Sequence, residues 1–129
     1  MRQLNTIRNR KESFIRNLKF HYDELNDLLY AYKENSAVYS NVMIGEFHLE
    51  FNKNKELVGI EILKASDILK EYGISQAILK NIQKVDLKAV INNNSLLVFI
   101  TIYSKGQHKS AAITMSNLES PIMRAIASA

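Results

Sequence analysis

At 129 residues the chain is the size of one ordinary domain, and with 47% hydrophobic and 23% charged residues it has the composition of a packed globular protein. It contains no cysteine, which excludes disulfides, thiolate catalysis and zinc–thiolate sites. The net charge of +4 is unevenly placed: residues 1–19 hold six basic side chains against the single acid Glu12, and the remainder is close to neutral. No apolar run approaches the ~18 residues of a membrane span, and no apolar signal core follows the basic N-terminus, so a cytoplasmic protein with no membrane association is expected.

Within the first residues Leu4, Ile7, Phe14, Ile15 and Leu18 recur at roughly helical spacing, with Asn5 or Thr6 available as a cap. A short amphipathic helix is therefore expected from about Thr6 to Asn17, its apolar stripe docked and its arginines facing out. Lys19 to Tyr22 reads as a strand, Asp23 to Asp27 as a polar turn, and Leu28 to Tyr32 as the return strand, with Tyr30 and Tyr32 on one face. After a turn at Lys33 to Ser36, Ala37 to Ile44 forms a further extended segment. Phe47, Leu49 and Phe51 then alternate with Glu46, His48 and Glu50, the pattern of a sheet packed on one side. Asn52 to Glu56 is a hairpin loop and Leu57 to Leu63 its partner strand, in which Gly59 signals a bulge or a close backbone approach.

Ser66 begins a helix with Asp67 in its first turn, Gly73 stops it, and Ser75 caps a second helix running to Gln83. The last third is a meander of Asp86–Ile91, Leu96–Tyr103 and Ser110–Met115, with turns at Asn92–Ser95 and Lys105–His108. The middle run, LLVFITIY, is apolar on both faces and suits a central strand. Ser120-Pro121 is a helix start with Pro at the first helical position. The expected fold is α+β: an antiparallel sheet of hairpins packed against short helices, with an amphipathic basic helix at the N-terminus. One domain comprises a basic arm (1–18), hairpins plus helix (19–72), and helix, meander and C-terminal helix (75–129).

Few residues point to chemistry. Asp23, Glu24 and Asp27 on one turn offer oxygen ligands to a hard cation, but Asp and Asn are also ordinary turn residues. His21, His48 and His108 would bind zinc only by converging, and their spacing does not require it. Glu61, between Ile60 and Ile62, is expected to face solvent or pair across its strand. No phosphate loop, dinucleotide fingerprint or nucleophile elbow is present. No cofactor and no metal are expected, and a metal-dependent enzyme using Asp23, Asp27 and His21 ranks last.

The segments Tyr22-Asp23, Asp27-Leu28-Leu29-Tyr30 and Leu57-Val58-Gly59-Ile60-Glu61-Ile62-Leu63-Lys64-Ala65-Ser66 carry a resemblance. Together they resemble a widespread prokaryotic domain of unknown function, across roughly residues 19 to 72. The resemblance implies no established catalytic role. Some members look like antitoxins, which implies protein binding. Members often end soon after the helix, whereas this chain adds the basic arm and the meander.

The expected function is therefore a non-enzymatic binding or regulatory module with a protein partner, antitoxin-like or an assembly factor. Exposed sheet edges add the expectation of a homodimer. The alternative is a nucleic-acid or ribosome-associated protein with the arm on phosphates and Tyr30 or Tyr32 near bases. The candidate contact residues are Arg8, Arg10, Lys11, Arg16, Tyr30, Tyr32, Lys53 and Lys55.

Overall fold

Nine strands build two antiparallel sheets in a computed structural model that describes residues 10–92 and 95–115. The strands are β1 (Arg10–Ile15), β2 (Lys19–Asp23), β3 (Leu28–Tyr32), β4 (Ser40–Ile44), β5 (Phe47–Phe51), β6 (Leu57–Ile62), β7 (Lys84–Asn92), β8 (Ser95–Ser104) and β9 (Gln107–Met115). Between β6 and β7 lie α1 (Ala65–Leu69), a 3-10 turn (Lys70–Tyr72) and α2 (Gln76–Leu79). One sheet has the order β1-β7-β8-β9 and the other β2-β3-β6-β5-β4.

The inner faces of both sheets share one core. The five-stranded sheet contributes Leu29, Ala31, Leu49, Phe51, Ile60 and Ile62, and the four-stranded sheet contributes Val85, Leu87, Leu96, Val98, Ile100 and Ile102, all buried. Each of these side chains other than Ala31 contributes roughly 1.5–3 kcal/mol when taken from water, so two facing apolar layers are the main source of stability. The helical connection adds Ala65, Leu69, Ile74 and Leu79 to that core.

This arrangement corrects the expected α+β fold. Sheet packs on sheet, and the described helical segments span only three to five residues each. The largest error concerns the N-terminal arm. The expected helix from Thr6 to Asn17 is, from Arg10 onward, the edge strand β1, paired with β7 from Arg10↔Asn92 to Ile15↔Leu87. Phe14 and Ile15 satisfied a helical spacing, but on a strand they take opposite faces: Ile15 packs on the core and Phe14 is 58% exposed. Residues before Arg10 and the expected helix at Ser120-Pro121 lie outside the described residues.

The chain crosses between the sheets twice, and an aspartate fastens each crossing. At the first, residues 16–18, Asn17 has φ 55, a conformation that Asn tolerates better than most residues. Its N–H donates to Asp86 Oδ1 at 2.9 Å, and the next amide, Leu18, donates to the Val85 carbonyl at 2.9 Å. Asp86 is 7% exposed and also accepts the Tyr103 hydroxyl at 3.1 Å, so its charge is met on both sides.

At the second crossing, between β6 and β7, the expected start of α1 proves different. Ser66 lies inside the helix, and the residue at the cap position, Lys64 at φ 52, makes no side-chain cap. The cap comes from 39 positions away: Asp27 accepts the Ser66 N–H at 3.0 Å and the Ser66 hydroxyl at 2.7 Å. Asp27 also accepts the Tyr22 hydroxyl at 2.5 Å, and that hydroxyl accepts Gln76 Nε2 of α2 at 3.1 Å. Further along, Gly73 (φ 79) ends the 3-10 turn and Ser75 caps α2 by accepting the Ile78 N–H, both as expected, but α2 ends at Leu79 and not at the expected Gln83.

Partial burial works to raise the Asp27 pKa, but hydrogen bonds from Tyr22, Ser66 and Asp67 overcome it and hold the group below the ordinary carboxylate range. Its stabilising contribution is thus present above the unfolded-state value and is lost as pH falls through the lower folded-state value. Asp27→Ala should lower the unfolding free energy by about 2–3 kcal/mol at neutral pH in urea melts. Between about pH 5 and pH 2 the variant should lose less stability than the native chain; equal losses would show that Asp27 is not held as described.

Candidate functional site

Three surfaces carry side chains beyond the needs of the core. The first is the outer face of the five-stranded sheet. Strand register aligns His21, Tyr30, Glu61, His48 and Met43 in one row across all five strands. Glu61 pairs with its cross-strand neighbour His48 (Nδ1 to Oε1 3.8 Å). From that row Tyr30 reaches the adjacent one, donating its hydroxyl to Glu50 at 2.8 Å and stacking on Tyr32 with centroids 4.9 Å apart. Gly59 is needed for that geometry, because a Cβ there would run into the Glu50 carboxylate. Beside it the β5–β6 register shifts, with Glu50 opposite Gly59 but Phe51 opposite Leu57, so Val58 is the bulged residue. The expected bulge is present, and what closes on Gly59 is a side-chain carboxylate, not the expected backbone. Partial burial first, and then the bond to Glu50, push the Tyr30 phenol up to about 12.

The second surface is the β4 edge. The two-residue turn Gly45-Glu46, with Gly45 at φ 58, closes on the pair Ile44↔Phe47. Alternation then leaves the backbone groups of Asn41 and Met43 facing away from β5. Val38, Tyr39 and Met43 are 45%, 66% and 53% exposed along this short segment. Tyr39 also shares a shallow groove with Asn52, Lys53 and Asn54 of the β5–β6 hairpin loop.

The third surface is the outer face of the four-stranded sheet. Phe14, Lys88, Phe99 and Ala112 form one row across its strands, and Lys84, Tyr103 and His108 form another. Each aromatic ring except that of His108 has a cation beside it: Arg16 at 5.0 Å from the Phe14 centroid, Lys88 at 5.8 Å from Phe99, and Lys84 at 4.6 Å from Tyr103. Glu12 offsets Lys88 at 3.3 Å.

The candidate residues therefore do not form one site. Arg8 lies outside the described residues; Arg10 and Lys11 stand on β1, with Arg16 just after it. Tyr30 and Tyr32 lie on the other sheet, beside the carboxylates of Glu50 and Glu61, which would repel a phosphate chain. Lys53 and Lys55 are exposed at the hairpin tip. The three turn carboxylates are also spoken for: Asp23 accepts the Asn26 amide and side chain, Glu24 pairs with Lys80, and Asp27 caps α1. His21 and His48 sit three strands apart, roughly 14 Å, and His108 belongs to the other sheet. Among the described residues no group of three His, Asp or Glu is placed to hold a metal ion. Nor is any helix among them long and apolar enough to cross a membrane.

Sequence reasoning passed over Tyr39 and Met43, and over Lys84, Lys88, Phe99 and Tyr103. The last four carried a signal: each pair is spaced by four on a strand, which puts both members on one face.

The two-sheet β architecture, with a hairpin locked to a helical corner, defines a class of small β protein. The chain belongs to the family described as "Protein of unknown function (DUF2283)", whose model matches residues 19–66, from β2 through the five-stranded sheet to the residue that Asp27 grips. It is similar to an uncharacterized protein, MJ0789, of Methanocaldococcus jannaschii: 31% identical over 88 residues, covering 67% of this chain and 72% of that one. No solved structure matches.

Gly59→Ala should displace the Glu50 carboxylate from Tyr30 at a cost of about 1 kcal/mol, the net value of one hydrogen bond. In an alkaline absorbance titration the tyrosine ionising at about 12 should move down in Gly59→Ala and in Glu50→Gln. An unmoved titration in both would show that the Tyr30–Glu50 bond does not hold the phenol.

Proposed function

We propose that the chain is a non-enzymatic binding module whose partner is a protein, gripped by strand addition at the β4 edge. The observation that carries this reading is the coincidence, along β4 and the residues just before it, of backbone groups that face away from β5 and three exposed apolar side chains. Edge backbone offers hydrogen bonds to an incoming strand, and alternate side chains offer it contact area. Val38, Tyr39 and Met43 supply apolar and aromatic anchors of the kind that carry binding energy. Lys53, which lines the same groove as Val38 and Tyr39, and Lys55 further along the hairpin loop favour a partner with acidic residues next to its strand. This role suits an antitoxin-like or assembly factor. A regulatory module of this kind requires no catalytic group, and each of the three turn carboxylates has a structural task. A second copy of the chain satisfies the same edge and would give a homodimer across β4.

The test is retention of one stoichiometric protein partner, or self-association measured by sedimentation, after nuclease treatment. Met43→Pro removes an outward N–H without touching the β5 ladder, and Tyr39→Ala removes an anchor. Either should weaken association by on the order of tenfold or more while leaving the melting temperature near that of the native chain. Association that survives both substitutions, or is absent from the native chain, contradicts the reading.

A further inference from the structure

The outer face of the four-stranded sheet has no part in the β4 edge, and nothing derived above uses its chemistry. Phe14 is the most exposed large aromatic on it, at 58%, which is unusual for a residue beside a packed core. Phe99 and Tyr103 are half-buried, their rings standing on the outer face of the central strand β8. Phe14 and Phe99 are two strands apart in one row, roughly 10 Å, and Phe99 and Tyr103 are four residues apart on β8, roughly 13 Å. The three rings thus spread over the sheet instead of clustering as a single apolar patch.

Cations accompany them. Arg16, Lys88 and Lys84 each lie within 5.8 Å of one ring centroid. The two acids nearby are already engaged: Asp86 is 7% exposed, accepts the Asn17 N–H and the Tyr103 hydroxyl and lies 3.9 Å from Lys84, while Glu12 faces Lys88. Small polar groups fill the space between, including the Thr101–Ser110 hydroxyl pair at 2.9 Å. The expected basic arm, once recast as β1, brings Arg10, Lys11 and Arg16 to the edge of this same sheet.

From this juxtaposition we infer that the outer face of the four-stranded sheet binds single-stranded nucleic acid, with bases stacked on Phe14, Phe99 and Tyr103 and phosphates beside Arg16, Lys84 and Lys88. An open antiparallel sheet with spaced aromatics is a stacking platform that every base can use, because every base has a π face. Stacking requires unpaired bases, so the occupant is single-stranded. Asp86, 3.9 Å from Lys84, and Glu12, 3.3 Å from Lys88, offset part of this charge, and with Arg16 the three cations still outnumber the two acids, an excess that a phosphate chain complements and an apolar protein surface does not. The site is distinct from Tyr30 and Tyr32, where carboxylates stand in place of cations.

The test uses the full chain and a labelled uridine oligonucleotide of about twelve nucleotides, long enough to span the platform, by fluorescence anisotropy at low salt. Binding should weaken with salt with a logarithmic slope near −2, from about three phosphate contacts at −0.7 each. Phe14→Ala and Phe99→Ala should each weaken binding on the order of tenfold, with Phe14→Ala melting like the native chain because its ring is mostly exposed. Lys84→Gln with Lys88→Gln should flatten the salt slope. A duplex of matched length should bind more weakly than the single strand. The proposal is overturned by an absence of binding at low salt. It is equally overturned if the lysine substitutions matter while both phenylalanine substitutions do not, or if duplex and single strand bind alike, since either result describes charge attraction without stacking. A face covered by a second copy of the chain would leave the oligonucleotide unbound and make Phe14→Ala change the sedimentation behaviour, which also overturns it.

Discussion

The carboxylate of Asp27 accepts the hydroxyl of Tyr22 and both the amide and the hydroxyl of Ser66, and the passage of the chain from one sheet to the other depends on it. A helix of five residues has no cooperative stability of its own in water. It forms here because its first turn is capped from the β2–β3 turn and because Ala65 and Leu69 are buried under it. Through Tyr22 the same node reaches Gln76 on α2, so one acid positions both ends of the connection that delivers β7 to the second sheet. Asp86 repeats the device at the other crossing, again with one backbone amide and one tyrosine hydroxyl. Two aspartates, each also bound by a tyrosine hydroxyl of its own sheet, fasten the two crossings, and the apolar faces between the sheets supply most of the energy.

Strand content was largely legible because its signal is local. Alternation at Phe47, Leu49 and Phe51, and the double-faced apolar run of β8, follow directly from the period of a pleated strand. Gly59, Gly73 and Ser75 behaved as their chemistry indicated. Two things failed for the same physical reason, that pairing partners are distant. The N-terminal segment has apolar residues that suit either period, and only β7, some 75 positions later, makes it a strand. The role of Asp27 was hidden because turn chemistry accounts for an aspartate there without any long-range partner. The α+β expectation came from counting helix starts without knowing that the helices would be a single short connection.

The division between the sheets also organises the functional reading. The matched family segment closes on itself as the five-stranded sheet plus the corner at Ser66, which Asp27 on the β2–β3 turn grips. The residues on either side of it, apparently unrelated as an arm and a meander, join as the four-stranded sheet. Among the described residues one sheet ends at the edge strand β4, and the other carries a face of aromatics and cations. The tyrosines that seemed suited to nucleic acid are on the acidic sheet, with Lys53 and Lys55 on its hairpin tip, while Arg10, Lys11 and Arg16 belong to the other. Candidates chosen by residue type are therefore divided among separate surfaces once strand register assigns each to a face.

The central claim, that Asp27 fastens the crossing by gripping Ser66, is tested most directly by a double-mutant cycle of Asp27→Asn and Ser66→Ala in equilibrium unfolding. The structure requires a coupling of about 1–2 kcal/mol between the two sites, because each loses the partner that the other supplies. A coupling near zero, with the two single effects adding, would contradict it.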